Sequence, residues 1–411
     1  MITQAGLDAM DRDDPLAPFR DEFVLPDGVI YLDGNSLGAL PRATPGRLAA
    51  VVEREWGTGL IRSWNDAGWI GLPARLGDEI GRLVGAPEGT VIAADSTSVN
   101  LFKLLSAALR LRLGRRVIVS EAGNFPTDLY IAEGLAALLG QGHELRTAAA
   151  GEVAGALGPD VAVVMLTHVD YRTGAMHDMA AITAAAHAAG ALVLWDLAHS
   201  AGAVPVDLLG ADADFAVGCG YKFLNGGPGA PAFLYVAGRL QEAARYPITG
   251  WLGHADPFAF DPGYRAAPGI GGAVVGTPSV LAMAALEVGV DIALRAPMAE
   301  VRAKSLRQAA LLMDLVAQHC PGTGVEPVTP GQEDRRGSQV SFRHPEAYAV
   351  MQALIAQGVI GDFRTPDLMR FGITPLTLRY ADLWDVAVAM GGVLASGAWR
   401  EARFGVRNRV T

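Results

Sequence analysis

Short apolar runs alternate with helical segments through the middle of the chain. Five runs are rich in Val, Leu and Ala and have the length of buried strands: RRVIVS (115–120), VAVVMLTHV (161–169), ALVLWDLA (191–198), ADFAVGC (213–219) and PAFLYVA (231–237). Between the first four, segments such as 128–140 and 179–190 carry apolar residues at helical spacing. This alternation predicts an α/β fold around a mainly parallel sheet that is buried on both faces. Ligands of such sheets bind at the carboxyl ends of the strands.

The pattern changes near residue 286. Residues 286–320 have the spacing of one long helix, or of two helices divided at Pro297. Beyond them, strand-like and helical segments follow over 337–344, 346–357, 358–364, 368–373 and 381–396. We therefore predict a large domain that contains the parallel sheet and a smaller α/β domain. The predicted divisions are an N-terminal arm that joins the small domain (1–45), the large domain (46–285) and the C-terminal domain (286–411).

Composition and charge argue against several kinds of protein. The 411 residues carry a net charge of −10 and no run rich in Lys or Arg, which argues against nucleic-acid binding. The first thirty residues contain early acids and no apolar stretch, so we predict no signal peptide, no membrane association and a cytoplasmic location. The stretch 179–195 is rich in Ala and interrupted by His187, which is typical of a core helix followed by a strand. Cys219 and Cys320 form neither a disulfide framework nor a zinc pattern, and we predict no metal site.

A cluster of Ser and Thr precedes an amphipathic helix in the segment 94–111. Ser96, Thr97 and Ser98 are residue types that cap helices, and the unpaired N–H groups at the start of that helix would suit a phosphate. The same cluster also suits an ordinary helix cap, and this stretch alone does not separate the two interpretations.

A carboxylate closes one of the buried strands. Asp196 follows the apolar residues of the run 191–198, and His199 stands three residues further on. A carboxylate at such a place needs a partner, because burying it alone is costly. An Asp that only caps the next turn would give the same pattern.

Lys222 follows the strand-like run 213–219, beside Tyr221 and before a run of Gly and Pro. Only three of the 33 basic residues are lysines, but the composition of the whole chain explains that rarity, so it is weak evidence alone. The aromatic and small residues around Lys222 are not typical of a solvated loop. A lysine in such a place suits Schiff-base chemistry with a carbonyl compound.

Together these stretches resemble the large domain of pyridoxal-phosphate (PLP) enzymes of fold type I, in the group related to class V aminotransferases. Seven motifs, in the expected order along nearly the whole chain, resemble the kynureninase family in its bacterial form. They are YLDGNSLGALPR (31–42), DSTSVNLFKLL (95–105), NFPTDLY (124–130), DLAHSAGAVPVDL (196–208), GYKFLNGGPGAPAFLYV (220–236), GWLGHADPFAF (250–260) and LMRFGITPL (368–376). Each motif is weak alone, whereas seven in order are specific.

The resemblance implies how these residues would hold PLP. Lys222 would bind the cofactor covalently, Asp196 would face its ring nitrogen, and His199 would lie near its 3-hydroxyl or near Asp196. The other implied cofactor contacts are Phe125 stacked on the ring, Asp128 and Thr167 nearby, Thr97, Ser98 and Tyr221 at the phosphate, and Trp251 and Thr277 reaching that phosphate from a second subunit. The last two imply a homodimer with shared active sites.

The resemblance also implies the reaction, which is hydrolysis of the Cβ–Cγ bond of L-kynurenine to anthranilate and L-alanine in tryptophan catabolism. Lys222 would be the base and proton shuttle, and Tyr221 the proton donor. Arg370 would bind the substrate carboxylate, because a guanidinium can hold a carboxylate bidentately. The other candidates for the substrate pocket are Trp64, Thr277 and Asn35. Unsubstituted kynurenine is the expected substrate, with 3-hydroxykynurenine left open as a second one.

Other activities stay open at this point. A cysteine desulfurase or selenocysteine lyase needs a nucleophilic Cys in the C-terminal part of the chain, and residues 321–411 contain none. An aminotransferase would use the same cofactor and would release an oxo acid. A nucleotide-binding α/β protein would carry a G-x-G-x-x-G or P-loop motif, whereas the Gly-rich run 226–230 follows the lysine instead of preceding it.

Overall fold

Residues 2–408, which the computed structural model describes, form helices and strands in alternation. The helices are α1 (Gln4–Arg12), α2 (Thr44–Ala50), α3 (Ser63–Asp66), α4 (Leu72–Leu83), α5 (Thr97–Leu111), α6 (Pro126–Leu139), α7 (Met179–Ala188), α8 (Gly238–Gln241), α9 (Val280–Arg295), α10 (Met298–His319), α11 (Ala347–Ile355) and α12 (Tyr380–Ser396). The strands are β1 (Phe23–Val24), β2 (Ile30–Tyr31), β3 (Leu40–Pro41), β4 (Val91–Ala93), β5 (Val117–Glu121), β6 (Glu144–Ala148), β7 (Val161–Thr167), β8 (Leu192–Asp196), β9 (Phe215–Cys219), β10 (Ala232–Val236), β11 (Glu326–Pro327), β12 (Gln339–Arg343), β13 (Val359–Ile360), β14 (Asp362–Arg364) and β15 (Leu368–Gly372).

A seven-stranded sheet in the order β4-β10-β9-β8-β7-β5-β6 forms the centre of the larger part. The pairs among β5 to β9 are parallel, and β10 runs antiparallel to both of its neighbours. The mainly parallel α/β sheet predicted from the apolar runs is therefore confirmed. Each parallel strand returns through a crossover, so the carboxyl ends of β5, β7, β8 and β9 lie at one edge.

Both faces of this sheet are buried, which explains why its strands are continuously apolar. Along β8, Val193 and Trp195 point into one hydrophobic core and Leu192 and Leu194 into the other. Helices α4 and α9 cover the first face, and α5 and α6 cover the second. At about 25 cal/mol per Å² of apolar surface, burial of this kind is the main stabilising contribution to the large part of the molecule.

A second core lies around the four-stranded antiparallel sheet β11-β12-β15-β14. Helices α10, α11 and α12 pack there, and Leu7 and Leu32 bring the N-terminal segment into the same core. Strand β2 pairs in parallel with β13, which fastens that segment to the C-terminal part. These contacts support a proposed arm over residues 1–45 that joins the small domain.

The long helical segment predicted over 286–320 is two helices, with the break at Pro297. Pro297 precedes the first residue of α10, because proline is tolerated at a helix start and not in its interior. The α9 residues Val290 and Ala293 belong to the large core, whereas α10 contributes Leu312 and Leu315 to the C-terminal core. The predicted division near residue 286 thus falls inside α9, and we propose that the change of core occurs between α9 and α10.

Candidate active site

Lys222 lies just beyond the carboxyl end of β9, and it contacts His199, which stands three residues after the end of β8. Its Nζ is 3.0 Å from Nε2 of His199. Nδ1 of His199 is buried and has no hydrogen-bond partner among residues 2–408. Burial lowers the pKa of His199 well below its ordinary value, and the charge of Lys222 lowers it further. His199 is therefore neutral at pH 7 and can accept a hydrogen bond from the ammonium group.

The N-terminal segment packs against the backbone around this lysine. The amide of Gly38 donates to the carbonyl of Tyr221 over 2.8 Å. A Cβ atom at Gly38 would collide with the carbonyl oxygen of Lys222, so this close approach needs glycine. The amide of Asn225 donates to the same Lys222 carbonyl over 2.9 Å and closes the turn that follows.

Two buried carboxylates lie together at the same edge of the sheet. Asp196 is the last residue of β8, and Asp128 lies in the first turn of α6. Burial raises the pKa of both groups, and the charge of Asp196 raises that of Asp128 further. The charge of Lys222 and a hydrogen bond with Asp128 act in the opposite direction on Asp196. The two carboxylates therefore titrate as a coupled pair at higher pH than isolated carboxylates do, and the charge of Lys222 favours the ionised form of Asp196.

Thr167 links this pair to the loop after β5. Its Oγ1 lies 2.5 Å from Oδ1 of Asn124 and 3.4 Å from Oδ2 of Asp128. Asn124 is in turn fixed by Ser120, which accepts from its Nδ2 over 3.0 Å. The motif around residues 124–130 contained Asn124, but the sequence argument assigned it no role. Its contacts are made across the sheet and cannot be read from one segment.

The start of α5 opens into a cavity of about 500 Å³. Ser96 is the N-cap and accepts from the amide of Val99 over 3.4 Å, so Thr97 and Ser98 are the first two helical residues. Tyr221 and Thr277 line the same cavity as Ser96. Burial raises the pKa of Tyr221 above its ordinary value, so its phenol keeps its proton at neutral pH. The N-terminal end of α5 and a phenol thus border one cavity, as suits an anion, although Asp95 lines the same cavity and Thr97 and Ser98 do not.

Arg370, on β15, is 1% exposed and already makes several contacts. Its Nε donates to Oδ1 of Asp362 over 2.6 Å and its Nη2 donates to the other oxygen, so Asp362 binds one whole edge of the guanidinium. Nη1 donates to the carbonyl of Tyr171 over 2.5 Å, and Nη2 also donates to Ser36 over 3.1 Å. The Nε/Nη2 edge is therefore occupied, and one N–H of Nη1 is the donor that remains for a ligand.

Phe125 and Asn35 lie on either side of Tyr171. The ring of Phe125 is half-exposed and edge-on to that of Tyr171, with the centroids 5.2 Å apart. Asn35 is buried and donates to Gln339 over 2.9 Å, and Gln339 donates to the carbonyl of Tyr171 over 3.2 Å. The ring of Phe125 therefore has one face that a ligand could contact. Asn35 contacts Tyr171 only indirectly, through the side chain of Gln339.

The contacts of Trp64 and Trp251 lie elsewhere. Trp64, on α3, meets Trp69 edge-on with a centroid distance of 6.0 Å. Trp251 is 41% exposed and meets Phe258 edge-on at 5.7 Å. Neither ring contact involves Lys222, and the roles predicted for Trp64 and Trp251 stay predictions.

Asp362 and Arg364 are further residues of the site region to which the sequence argument gave no role. Asp362 and Arg364 stand two apart in the strand-like segment 358–364, which places both on one face of β14. The sequence signal that could have identified them is a pair of opposite charges, two residues apart, within an otherwise apolar strand. The partner that makes them meaningful, Arg370, lies on another strand and becomes visible only through the register Asp362 opposite Arg370.

Neither thiol can serve as an exposed nucleophile. Cys219 ends β9 and Cys320 follows α10, and both are buried. Burial raises the pKa of both thiols, to about 11 for Cys320. Among residues 2–408, no group of three or more His, Cys, Asp or Glu side chains is arranged to hold a metal ion. Over the same residues, no helix has the length and apolar character needed to cross a membrane.

Comparison with known sequences finds close similarity along the full length. A family model described as the kynureninase C-terminal domain matches residues 301–390. A kynureninase of Pseudomonas fluorescens is 52% identical over 100% of both chains. Another, of Burkholderia pseudomallei strain K96243, is 53% identical over 100% of both.

Comparison with solved structures identifies the same fold at low identity. The cystine C-S lyase C-DES in complex with cysteine persulfide has a TM-score of 0.77 and 20% identity, over 89% of this chain and 98% of that one. An apo cysteine desulfurase of Thermococcus onnurineus NA1 has a TM-score of 0.78 and 18% identity, over 92% and 98%. At this identity the likeness shows the fold alone, which is that of PLP enzymes of fold type I.

Proposed function

The chain belongs to the kynureninase family, and from that premise we propose how its residues cleave L-kynurenine to anthranilate and L-alanine. It is a PLP-dependent hydrolase that cleaves a carbon–carbon bond of kynurenine. The observation that carries the assignment of roles is the meeting of Lys222, His199 and Asp196 at the carboxyl edge of the parallel sheet.

The residues at this edge fit PLP. Lys222 supplies an amine, and Nδ1 of His199 is a buried polar atom that lacks a partner within the described residues. The cavity at the start of α5, lined by Ser96 and Tyr221, suits a phosphate. Asp196 offers a buried carboxylate for a protonated ring nitrogen. When bound, PLP supplies an electron sink that stabilises negative charge at the α-carbon of the substrate.

Lys222 is proposed to bind the cofactor and to move the proton of the substrate α-carbon. Its Nζ lies beside a neutral imidazole, so His199 orients the amine by accepting a hydrogen bond and adds no competing positive charge. The charge of Lys222 and a hydrogen bond with Asp128 favour the ionised form of Asp196, whereas burial opposes it. Thr167 fixes Asp128 in that position.

Tyr221 is proposed as the acid that protonates the β-carbon after bond cleavage. Its pKa is raised by burial, so the phenol is protonated at neutral pH and can donate. It stands next to Lys222 in the chain, with Nζ of Lys222 5.8 Å from the centre of its ring. Thr97 and Ser98 are proposed to bind the phosphate together with Tyr221, through the first turn of α5.

The substrate is proposed to lie between Phe125 and the arginine on β15. Arg370 is proposed to bind the α-carboxylate through the remaining N–H of Nη1, since Asp362, Ser36 and Tyr171 take its other donors. Trp64 and Thr277 are proposed to line the aryl pocket. The similarity to bacterial kynureninases favours the unsubstituted ring over 3-hydroxykynurenine. Steady-state rates with both substrates, measured on one preparation, distinguish these preferences.

The active unit is proposed to be a homodimer in which Trp251 and Thr277 reach the partner's site; within its own chain, Thr277 lines the cavity beside Tyr221. Four aromatic side chains in the segment 251–264 are exposed at 41–76%: Trp251, Phe258, Phe260 and Tyr264. A contiguous exposed aromatic surface of this kind is typical of a protein–protein interface. This surface supports the dimer and leaves any higher assembly open.

The decisive test is the product. Purified protein with PLP and L-kynurenine should release fluorescent anthranilate and L-alanine in equal amounts. A 2-oxo acid in place of anthranilate would indicate an aminotransferase, and alanine formed from L-cysteine would indicate a desulfurase. Either result, without anthranilate, would overturn the proposal.

The covalent attachment is tested separately. The holoenzyme should absorb near ~420 nm, and borohydride should fix the cofactor to one peptide. Since the chain has three lysines, mass spectrometry need separate only Lys222 from Lys103 and Lys304. Lys222→Ala should abolish both the fixed label and anthranilate release, and label on either other lysine would refute the assignment.

A further inference from the structure

Two arginines share one buried carboxylate beside the proposed active site. Nε of Arg370 is 2.6 Å from Oδ1 of Asp362, and Nη2 of Arg364 is 2.8 Å from Oδ2. The three side chains lie on one face of the β14–β15 hairpin, because Asp362 is opposite Arg370 and Arg364 stands two residues from Asp362. Ser36 donates to the same Oδ2 over 2.8 Å.

This cluster carries an excess of positive charge. Two guanidiniums face the single carboxylate of Asp362. Burial, and after it the charge of Asp362, raises the pKa of the neighbouring Asp33 to about 7, so Asp33 does not fully neutralise the arginines at pH 7. One oxygen of Asp33 is buried and has no partner within residues 2–408. A largely buried cationic excess is stabilised by an anion.

The two guanidiniums differ in how much of each is available to a ligand. Arg370 is 1% exposed and retains one N–H of Nη1 that has no partner among the described residues. The side chain of Arg364 is 33% exposed. Its Nη1 donates to the carbonyl of Phe363 over 2.8 Å and its Nη2 weakly to Ser36 over 3.5 Å. Nε and a second N–H of Nη1 therefore have no protein partner in the described part of the chain.

Both arginines donate to Ser36, which stands two residues before Gly38, and the amide of Gly38 donates to the carbonyl of Tyr221 beside the reactive lysine. Their charges, after burial and after the charge of Lys222, contribute to lowering the pKa of His199. Arg370 also binds the carbonyl of Tyr171, whose ring meets Phe125. The cationic cluster and the lysine loop are thus joined through residues 36–38 of the N-terminal segment.

We propose that Arg364 is a second substrate-binding residue, which together with Arg370 binds the α-carboxylate of the amino-acid substrate. Asp362 is the positioning residue that holds the two guanidiniums side by side. Arg370 contributes its remaining Nη1 donor and Arg364 contributes Nε or Nη1. This inference rests on the proposed function, because it assigns both cations to the substrate of that same site.

The test compares two ligands that differ only in the charge of the carboxyl group. L-Kynurenine and its primary amide are measured on the PLP-loaded enzyme, as KM for the acid and as the inhibition constant for the amide. In Arg364→Met the preference for the acid over the amide should fall at least about tenfold, while the amide binds within about twofold of its original affinity. Arg343→Met, an exposed arginine paired with Asp367 on the same sheet, is the control that should retain the full preference.

The outcomes separate recognition of the carboxylate from a structural role. An unchanged preference in Arg364→Met would overturn the inference, and so would an equal weakening of acid and amide. Arg364→Lys keeps a positive charge and should restore part of the preference; it also replaces Arg364→Met if that variant does not fold. Failure of the unaltered enzyme to release anthranilate would instead refute the proposed function, so the two failures are distinguishable.

Discussion

All three lysines of this chain have defined partners; Lys103 and Lys304 are buried, and Lys222 is partly buried. Lys222 meets His199, Lys103 binds Asp95 and the carbonyl of Ala273, and Lys304 binds Asp14 and the carbonyl of Pro375. An ammonium group is a compact point charge with three donors, whereas a guanidinium is a larger planar fork. In a chain that otherwise uses arginine, lysine remains where a small cation must fit a confined site.

At the scale of single residues, the sequence predicted the proximity of Lys222 and His199 better than it predicted the contacts around them. Lys222, Asp196 and His199 each stand next to an apolar strand, and the parallel topology brings strand ends together, so their proximity could be argued from the pattern. Asn124 and Asp362 act through partners on other strands. Register and side-chain direction decide those contacts, and neither is contained in one segment.

Asp33 provides a prediction about pH. Because burial raises its pKa to about 7, the folded state binds a proton more tightly than the unfolded chain between about pH 4 and pH 7. Over that window, rising pH should destabilise the wild type relative to Asp33→Asn, by at most roughly 1.4 kcal/mol per pH unit. Above about pH 7 the difference should become constant.

Urea unfolding of the holoenzyme at several pH values from 4.5 to 8.5 checks this. Asp27→Asn, an exposed acid in the same N-terminal segment, is the matched control and should leave the profile unchanged. A difference between wild type and Asp33→Asn that does not vary with pH would contradict the expectation.

At the scale of elements, the deeply buried strands were predictable and the edge strands were not. β7 and β8 are buried at every position and read as continuous apolar runs. β6 is the outermost strand and carries the partly exposed sequence ELRTA, so it has no apolar run to detect. β4 has only three residues, too few for a periodic pattern.

The salt bridge between Lys304 on α10 and Asp14 after α1 gives a prediction for the N-terminal arm. Both side chains are buried, and Nζ donates to Asp14 over 2.6 Å and to Pro375 over 2.6 Å. Lys304→Met leaves Asp14 buried without its cation, which should lower the free energy of unfolding by about 3–5 kcal/mol. Adding Asp14→Asn removes the unpaired charge while keeping an acceptor for the amide of Leu16, and should recover much of that loss.

Chemical denaturation of the single and double variants measures both effects. Equal stability of Lys304→Met and the double variant would show that the lost free energy of unfolding comes from the Pro375 contact or from packing, not from the unpaired carboxylate of Asp14. A loss below about 1 kcal/mol in the single variant would contradict the expected cost of breaking a buried pair.

At the scale of the whole molecule, the proposed site lies where three parts of the chain meet. The large sheet supplies Lys222 and Asp196, the C-terminal sheet supplies Arg370, and the N-terminal segment supplies Ser36 and the glycine that packs on the lysine loop. The chain length and the alternation of strand-like and helical segments led us to predict a large and a small domain. Their relative placement depends on long-range packing, which a single sequence expresses only through its resemblance to a family.

The shared-site dimer gives a test at this scale that a single subunit cannot satisfy. Lys222→Ala lacks the reactive amine, and Trp251→Ala lacks the exposed ring that we propose completes the partner's site. Each variant alone should release little anthranilate. After subunit exchange, half of the dimers are hybrids, and each hybrid has one site with both residues intact, so activity should rise to roughly a quarter of the wild-type value.

The same mixture gives a different result if Trp251 serves its own subunit. One site of the hybrid would then lack the lysine and the other would lack the tryptophan, so mixing would restore nothing. Each variant taken alone through the same exchange procedure controls for recovery on handling. Sedimentation should give a particle of twice the 43.0 kDa chain mass for both variants. A Trp251→Ala protein that is monomeric and fully active would exclude the shared site.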